Sequence, residues 1–266
     1  MPEGDTVFLT GRMLAKALVG RALRRGELRH PRLSAVDLAG RGVPGVRTVG
    51  KHLFVRFDNG LSLHNHLRMD GSWHVHKLGS RWRVPAHQVR AVLANDEYEA
   101  LGVRLHDMEL LRTEQESHRV GHLGPDLLDP EWSDEHADRA YRALAAHPDR
   151  EIGLALLDQT VLAGVGNVYK AEVCFVLGVS PWTPVSEVDI KRAVTVSRDL
   201  LLRNALRFDR NTTGQSARGR RLWVYEQTRR GCLRCGGRVV VADQGSGLDV
   251  RKTWFCPTCQ PKPSPQ

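Results

Sequence analysis

Residues 121 to 130 read GHLGPDLLDP, and the character of the chain changes across them. Two Gly and two Pro in so short a span make this a connection between domains. Before it come short runs of β type: VRTV (46–49), HLFVRF (52–57), LSLHNHL (61–67), SWHVH (72–76), VRAVLA (89–94) and YEALGVRL (98–105). Asn59-Gly60 and Asp70-Gly71 punctuate them as hairpin turns. So many runs between Arg21 and Leu111 predict a β-sandwich or barrel. Ahead of them Val7, Leu14 and Leu18, with Met13 and Ala17, predict one amphipathic helix over 5–19, stopped by Gly20. After the connection the signals turn helical. Ser133 caps a helix to about Ala146, Asp149 or Arg150 begins another through Leu157, Asn167 begins a third through Leu177, and Ser186 caps a fourth to about Arg203.

The chain has 266 residues, enough for about two domains and a satellite. Hydrophobic residues make up 41% and charged ones 26%, which excludes a disordered polyampholyte. No apolar run approaches the roughly 20 residues that span a bilayer. The net charge is +9, and of 39 Lys and Arg only seven are Lys. The partner is expected to be an anion, with nucleic acid, an anionic membrane surface and a small anionic substrate all open at this point. An Arg-rich compositional bias explains the count equally well.

Four of the five cysteines, Cys232, Cys235, Cys256 and Cys259, form two C-x2-C pairs separated by 20 residues. That is zinc-ribbon spacing, with two short strands around a Gly-rich turn at Gly245 to Gly247 between the pairs. One structural Zn2+ is expected. Two disulfides are the alternative, disfavoured because Glu3 and Asp5 stand where a secretory signal would be cationic. Cys174 falls in an apolar helical pattern and reads as an inert core thiol.

The chain opens MPEGDT, and a small Pro at position 2 favours removal of the initiator Met. Pro2 then carries a free secondary amine. An α-amino group titrates near pH 8, so a fraction is nucleophilic at neutral pH and can form an iminium at an aldehydic carbon. Glu3 beside it can move protons. These three letters alone are common and weak.

Joined with Gly50-Lys51-His52, HNHLRMDGSW (64–73), LLDQTVLAGVGNVYKAE (156–172) and the four-cysteine ribbon, in this order, they become specific. The combination resembles the Fpg/Nei family of DNA glycosylases with an associated lyase activity, nearer its Nei (endonuclease VIII) branch, over essentially the whole chain to Gln260. The resemblance implies an α+β multidomain protein. An N-terminal helix and two-layered β-sandwich (1–120) would be followed by a linker (121–130), a helical domain with a helix-two-turn-helix motif (131–225), a zinc finger (226–260) and a disordered tail (261–266). Damaged double-stranded DNA would lie in the cleft between the domains.

The same resemblance implies that Pro2 attacks C1′ and leaves a Schiff base, that Glu3 is the acid/base carboxylate, and that Lys51 contacts phosphate and assists proton transfer. An ordinary strand-end Lys is the plain alternative for Lys51. Asn167 would contact the phosphates flanking the lesion, where a helix start after a Gly-rich turn favours anions, and is equally an N-cap. Arg251 would grip the same backbone and take part in a second elimination, the alternative being a solvated Arg. An extruded nucleotide leaves a gap to be filled. Leu67 or Met69 would fill it, depending on which branch's loop 64–71 follows; His66, Leu67 and Arg68 align on the Nei reading.

Departures bear on the substrate. Asp5-Thr6 replace a second Pro-Glu of many members, and VRLHDMELLR (103–112) holds no Asp-Pro-Arg-Arg-Phe-Gly, the Fpg loop that reads the base opposite 8-oxoguanine. His122 stands where the Nei branch tends to place a phosphate-contacting Arg. Oxidised pyrimidines and abasic sites are therefore expected, with β- or β,δ-elimination, in a cytoplasmic, nucleoid-associated monomer that needs no small-molecule cofactor and no membrane. Two alternatives stay open: an Fpg-like 8-oxoguanine glycosylase, and a zinc protein that binds damaged DNA without cutting.

Overall fold

A computed structural model describes residues 1–261. The tail predicted disordered therefore lies, beyond residue 261, outside the described residues. Contacts divide the chain into two compact units, one of Met1–His122 and one beginning at Leu123.

The first unit runs α1 (Gly4–Leu18), β1 (Arg25–Leu28), β2 (Gly45–Val49), β3 (His52–Arg56), β4 (Leu61–His66), β5 (Ser72–Lys77), β6 (Val89–Ala94), β7 (Tyr98–Val103), β8 (Asp107–Arg112) and α2 (Glu116–Val120). Two four-stranded antiparallel sheets result, ordered β1-β6-β7-β5 and β2-β3-β4-β8. One core joins them: Leu28, Trp73, Leu93 and Ala100 from the first sheet, Leu53, Val55, Leu63 and Met108 from the second, and Val7, Leu14 and Leu18 from α1. The alternation of each strand dictates this, since a period of two sends every second residue inward. Gly26 is obligatory in β1, because a Cβ there would lie 2.4 Å from that of Leu38.

The second unit holds α3 (Asp134–Ala145), α4 (Ile152–Leu157), α5 (Asn167–Leu177), α6 (Ile190–Asn204) and the hairpin β9 (Val240–Gln244) and β10 (Arg251–Phe255). α5 is central: Asn167 through Phe175 are all buried, and it packs on α4, α6 and β10. Gly178 ends it in the left-handed region at φ +77°, as a helix C-terminus favours.

Two helix starts differ from expectation. α6 is capped by Asp189, whose carboxylate takes the Arg192 N–H at 3.0 Å, while Ser186 lies in a separate 3-10 turn. α4 starts at Ile152 because the backbone of 150–152 is committed to bonds with 183–185: Ile152 N–H to Thr183 O (2.8 Å) and Val185 N–H to Arg150 O (2.9 Å). No described helix is long and apolar enough to cross a membrane.

Candidate active site

α1 begins directly after Glu3, whose extended backbone (φ −127°) turns the chain into the helix and whose carbonyl accepts the Val7 N–H at 3.0 Å. The Glu3 side chain is 0% exposed, Pro2 is half-buried, and Met1 is exposed. Asp5 is buried too, accepting the Thr6 hydroxyl at 3.2 Å. Gly11 lets α1 settle on β2, since a Cβ there would meet Thr48 Cγ2 at 2.5 Å. The turn that leaves β2 carries Lys51: Val49 pairs with His52, so Gly50, at φ +57°, and Lys51 make a two-residue reversal.

From Lys51 the outer face of the second sheet is unusually polar. Register places His52, His66 and Asp107 on one rung, Phe54, His64 and Glu109 on the next, and Arg56 and Ser62 beyond. His52 Nδ1 lies 2.9 Å from His64 Nε2, and His64 Nδ1 lies 2.8 Å from Glu109 Oε1. Glu109 Oε2 in turn accepts from Arg119 at 2.6 Å. Burial, aided by repulsion from His64, His66 and His122, pushes His52 down to about 3. Burial, then Arg68 and Lys51, push His66 down to about 4. His64 is also lowered by burial, which outweighs the Glu109 carboxylate. All three imidazoles are thus neutral at pH 7. Farther along the face, Glu116 is 2% exposed and accepts from Arg47 (3.1 Å), Arg56 (2.6 Å) and Ser62 (2.7 Å), which together hold its carboxyl below the ordinary value against burial.

The loop after β4 separates the two wedge candidates. Leu67 is 2% exposed and belongs to the core, so as folded it is committed inward; Met69 is 69% exposed. The loop is braced on both sides of Met69. Arg68, at φ +52°, donates to Asp107 (2.8 Å), and Asp70 faces His106 (3.3 Å). Gly71 N–H closes onto Leu67 O at 2.8 Å, an approach that a Cβ would obstruct. His122 is exposed, at the end of the first unit, and its charge acts on His52.

In the second unit the Gly-rich turn before α5 is shaped by Gln159, whose amide donates to Leu157 O (2.7 Å) and Val165 O (2.8 Å) and whose carbonyl takes the Gly164 N–H (3.2 Å). Asn167 begins α5, as expected, but its side chain turns to the hairpin, Nδ2 donating to Lys252 O at 2.9 Å. Its Oδ1 is buried with no hydrogen-bond partner. Two residues that sequence reasoning passed over fasten this region. Lys170, fully buried, donates to Thr253 Oγ1 (2.5 Å) and Gln244 Oε1 (3.3 Å) of the hairpin. Glu172, fully buried, accepts the backbone N–H groups of Trp223, Val224 and Tyr225 at 2.8–2.9 Å and the Thr212 hydroxyl. Arg251, at the start of β10, is exposed.

The four cysteine sulfurs lie within 4.8 Å of one another, with Cys232–Cys259 at 3.8 Å and Cys235–Cys256 at 3.6 Å. A tetrahedral ion with Zn–S bonds of about 2.3 Å has S···S edges of roughly 3.8 Å, so the donor set and its spacing fit zinc. The knuckles supply backbone donors to sulfur, from Arg234 N–H to Cys232 (3.4 Å) and Gly237 N–H to Cys235 (3.3 Å), the latter pulling the Cys235 thiol down to about 7. Cys174 is apart, fully buried and pushed up to about 12.

Comparison with known proteins agrees with this arrangement. The formamidopyrimidine-DNA glycosylase N-terminal domain matches residues 1–116, and the formamidopyrimidine-DNA glycosylase H2TH domain matches 123–217. A probable endonuclease 8 2 of Streptomyces coelicolor is 52% identical, over 100% of this chain and 96% of its own. The DNA-(apurinic or apyrimidinic site) lyase Nei2 of Mycolicibacterium smegmatis is 44% identical over 98% and 99%. In fold, the chain superposes on Lactococcus lactis Fpg in complex with DNA containing an abasic site with a TM-score of 0.79 at 22% identity, covering 98% of this chain and 100% of that one. With both domain types matched in order and half its residues shared with an endonuclease 8 relative, the chain belongs to the Fpg/Nei family of DNA glycosylases.

Proposed function

We propose that this protein is a base-excision-repair DNA glycosylase and abasic-site lyase that works through Pro2, on oxidised pyrimidines and abasic sites in duplex DNA. The observation that carries the reading is the first turn of the chain: a half-buried Pro2 set immediately ahead of a fully buried Glu3 at the start of α1. Once Met1 is removed, the Pro2 amine attacks C1′, the C1′–N bond to the base breaks, and the base leaves with a proton. An iminium joins Pro2 to the opened sugar. It acidifies the C2′ hydrogens, so a base can drive loss of the 3′ phosphate. Glu3, a carboxylate, cannot form the iminium and serves as a proton donor or acceptor beside the amine.

Lys51, His66 and His122 supply the first unit's contacts to the backbone, and Met69 takes the place of the extruded nucleotide. Its exposure and the braced loop support that choice over Leu67. Asn167 and Arg251 supply the second unit's contacts. Zinc, held by Cys232, Cys235, Cys256 and Cys259, contributes structure: it closes the knuckles below the hairpin that carries Arg251. The pyrimidine assignment is supported by the connection from β7 to β8, which is only Arg104, Leu105 and His106 long and has no room for an inserted base-reading loop.

Borohydride trapping tests the reading. Wild-type protein should form a covalent adduct with an abasic-site duplex, and Pro2→Gly or a form with a residue left ahead of Pro2 should trap at least about 100-fold more slowly, by the usual weight of a catalytic nucleophile's loss. Equal trapping by such a form rules out Pro2. If 8-oxoguanine opposite cytosine proves the best substrate in a lesion panel, the pyrimidine assignment falls.

A further inference from the structure

We propose that the loop 205–210, which follows α6, is a further contact for DNA: Phe208 stacks on an unpaired base beside the lesion, and Arg203 and Arg207 hold the strand that carries it. The inference rests on the reading of the protein as a DNA glycosylase and uses none of the Pro2 chemistry. Its starting point is exposure. Phe208 is 82% exposed, more than any other large apolar side chain among the described residues, and Leu206 (68%) and Leu202 (42%) lie just behind it along the chain. Apolar surface grouped in this way marks a place of contact.

The loop is tied down on both sides. Asn204, fully buried, closes its neck: Nδ2 donates to Leu200 O (2.8 Å) and Asn211 O (3.1 Å), and Oδ1 takes the Asn211 N–H (2.6 Å). Arg207 N–H turns back onto Asn204 O at 2.9 Å, and Asp209 pairs with Arg221 at 2.8 Å. A loop held in this way presents Phe208 already ordered, so little freedom remains to be lost on binding. It is also fastened to α5. The Arg210 guanidinium lies over the ring of Tyr169, 4.9 Å from its centroid, and Tyr169 is fully buried two residues after Asn167. The loop therefore stands at the end of α5 that begins with Asn167, the residue assigned to phosphate.

Charge and shape choose the occupant. Arg203 and Arg207 are exposed beside the patch and have no ion-pair partner among the described residues, while the one acid of the loop, Asp209, is neutralised by Arg221. A partner that offers flat apolar faces and negative charge together is a nucleic-acid strand: aromatic rings stack on bases whatever the sequence, and Arg meets the phosphates. In an intact duplex both faces of a base are covered by its neighbours. An open face exists only where the strand is unpaired, so the loop favours a lesion set in partly opened DNA over the same lesion in continuous duplex.

The experiment is fluorescence-anisotropy binding of a non-cleavable abasic analogue, set either in continuous duplex or in a short unpaired bubble, with 2-aminopurine beside the analogue in a second copy of the bubble. Phe208→Ala should weaken bubble binding about tenfold, leave duplex binding within about twofold, and abolish the fall in 2-aminopurine emission that stacking causes. Phe208→Trp should keep both the affinity and the quenching. Equal bubble affinity of Phe208→Ala and wild type, or an equal loss on both DNAs, overturns the proposal. So does a change confined to self-association in sedimentation, which would assign the patch to a second copy of the chain. Failure of the wild type to bind either DNA would instead overturn the glycosylase reading, so the two failures are distinct.

Discussion

His52 and His66 make the folded state sensitive to acid. Both titrate in the fold below their ordinary 6.5, at about 3 and about 4, so on acidification the unfolded chain takes up protons first. Stability is then level above about pH 6.5 and falls as pH drops from there toward the folded values. Glu116 behaves differently. Its folded carboxyl titrates below the ordinary 4.5, so its contribution is complete above that value and is lost as pH falls through the folded one. Unfolding midpoints measured against pH should therefore show two windows. His52→Phe with His66→Phe should flatten the slope between pH 6.5 and 4 while leaving the lower window. Glu116→Ala should shrink the lower window, to which Glu27 and Asp158 also contribute, and destabilise the protein by about 2 kcal/mol at pH 7, less than a fully buried pair because Arg47 and Arg56 remain over a third exposed. An unchanged slope in the histidine variant would contradict the burial argument.

At the scale of elements, α5 is the organiser of its unit, and one face of it holds the hairpin through Asn167 and Lys170. Lys170→Met keeps the stem and deletes the donor, so Gln244 and Thr253 lose their link to the helix while the four thiols are untouched. Affinity for an abasic-analogue duplex should fall about tenfold, with zinc content and far-UV signal retained. Chelating zinc should lower affinity further. If Lys170→Met binds like wild type, the hairpin does not depend on this anchor. The sequence showed where α5 starts and stops, through Asn167, the turn before it and Gly178. It did not show that Lys170 and Glu172 are interior, because a helix buried all round carries no amphipathic stripe to reveal a face. The strands divide similarly. Alternation in LSLHNHL puts residues 64 and 66 on one face, but bringing His52 beside them takes the β3–β4 register, and the contact of His64 with Glu109 depends on β8, whose alternation is blurred by Leu110-Leu111; the four-residue β1 is too short to stand out. The short α2, which brings Glu116 to Arg47 and Arg56, was likewise hidden.

For the molecule as a whole, the net charge of +9 now has places to act. Lys51 in the first unit and Arg251 in the second are each assigned one phosphate contact, and every such contact releases counterions. The logarithm of affinity should fall steeply and linearly with the logarithm of salt concentration, and Arg251→Ala should lower that slope by about 1, with Lys51→Ala acting alike. A slope that neither variant moves would place the charge elsewhere. The cysteine ribbon and the N-terminal letters announced the two ends of the chain from sequence alone; the histidine face between them required the register of a folded sheet. The first turn has a further consequence. Glu3 is fully buried directly ahead of α1, which begins at Gly4, so the backbone of Pro2 is carried at a fixed place beside the helix start. On the Pro2 reading, any residue retained ahead of that amine ties it up as an amide, and such a molecule is expected to sit on a lesion and shield it without the means to cut.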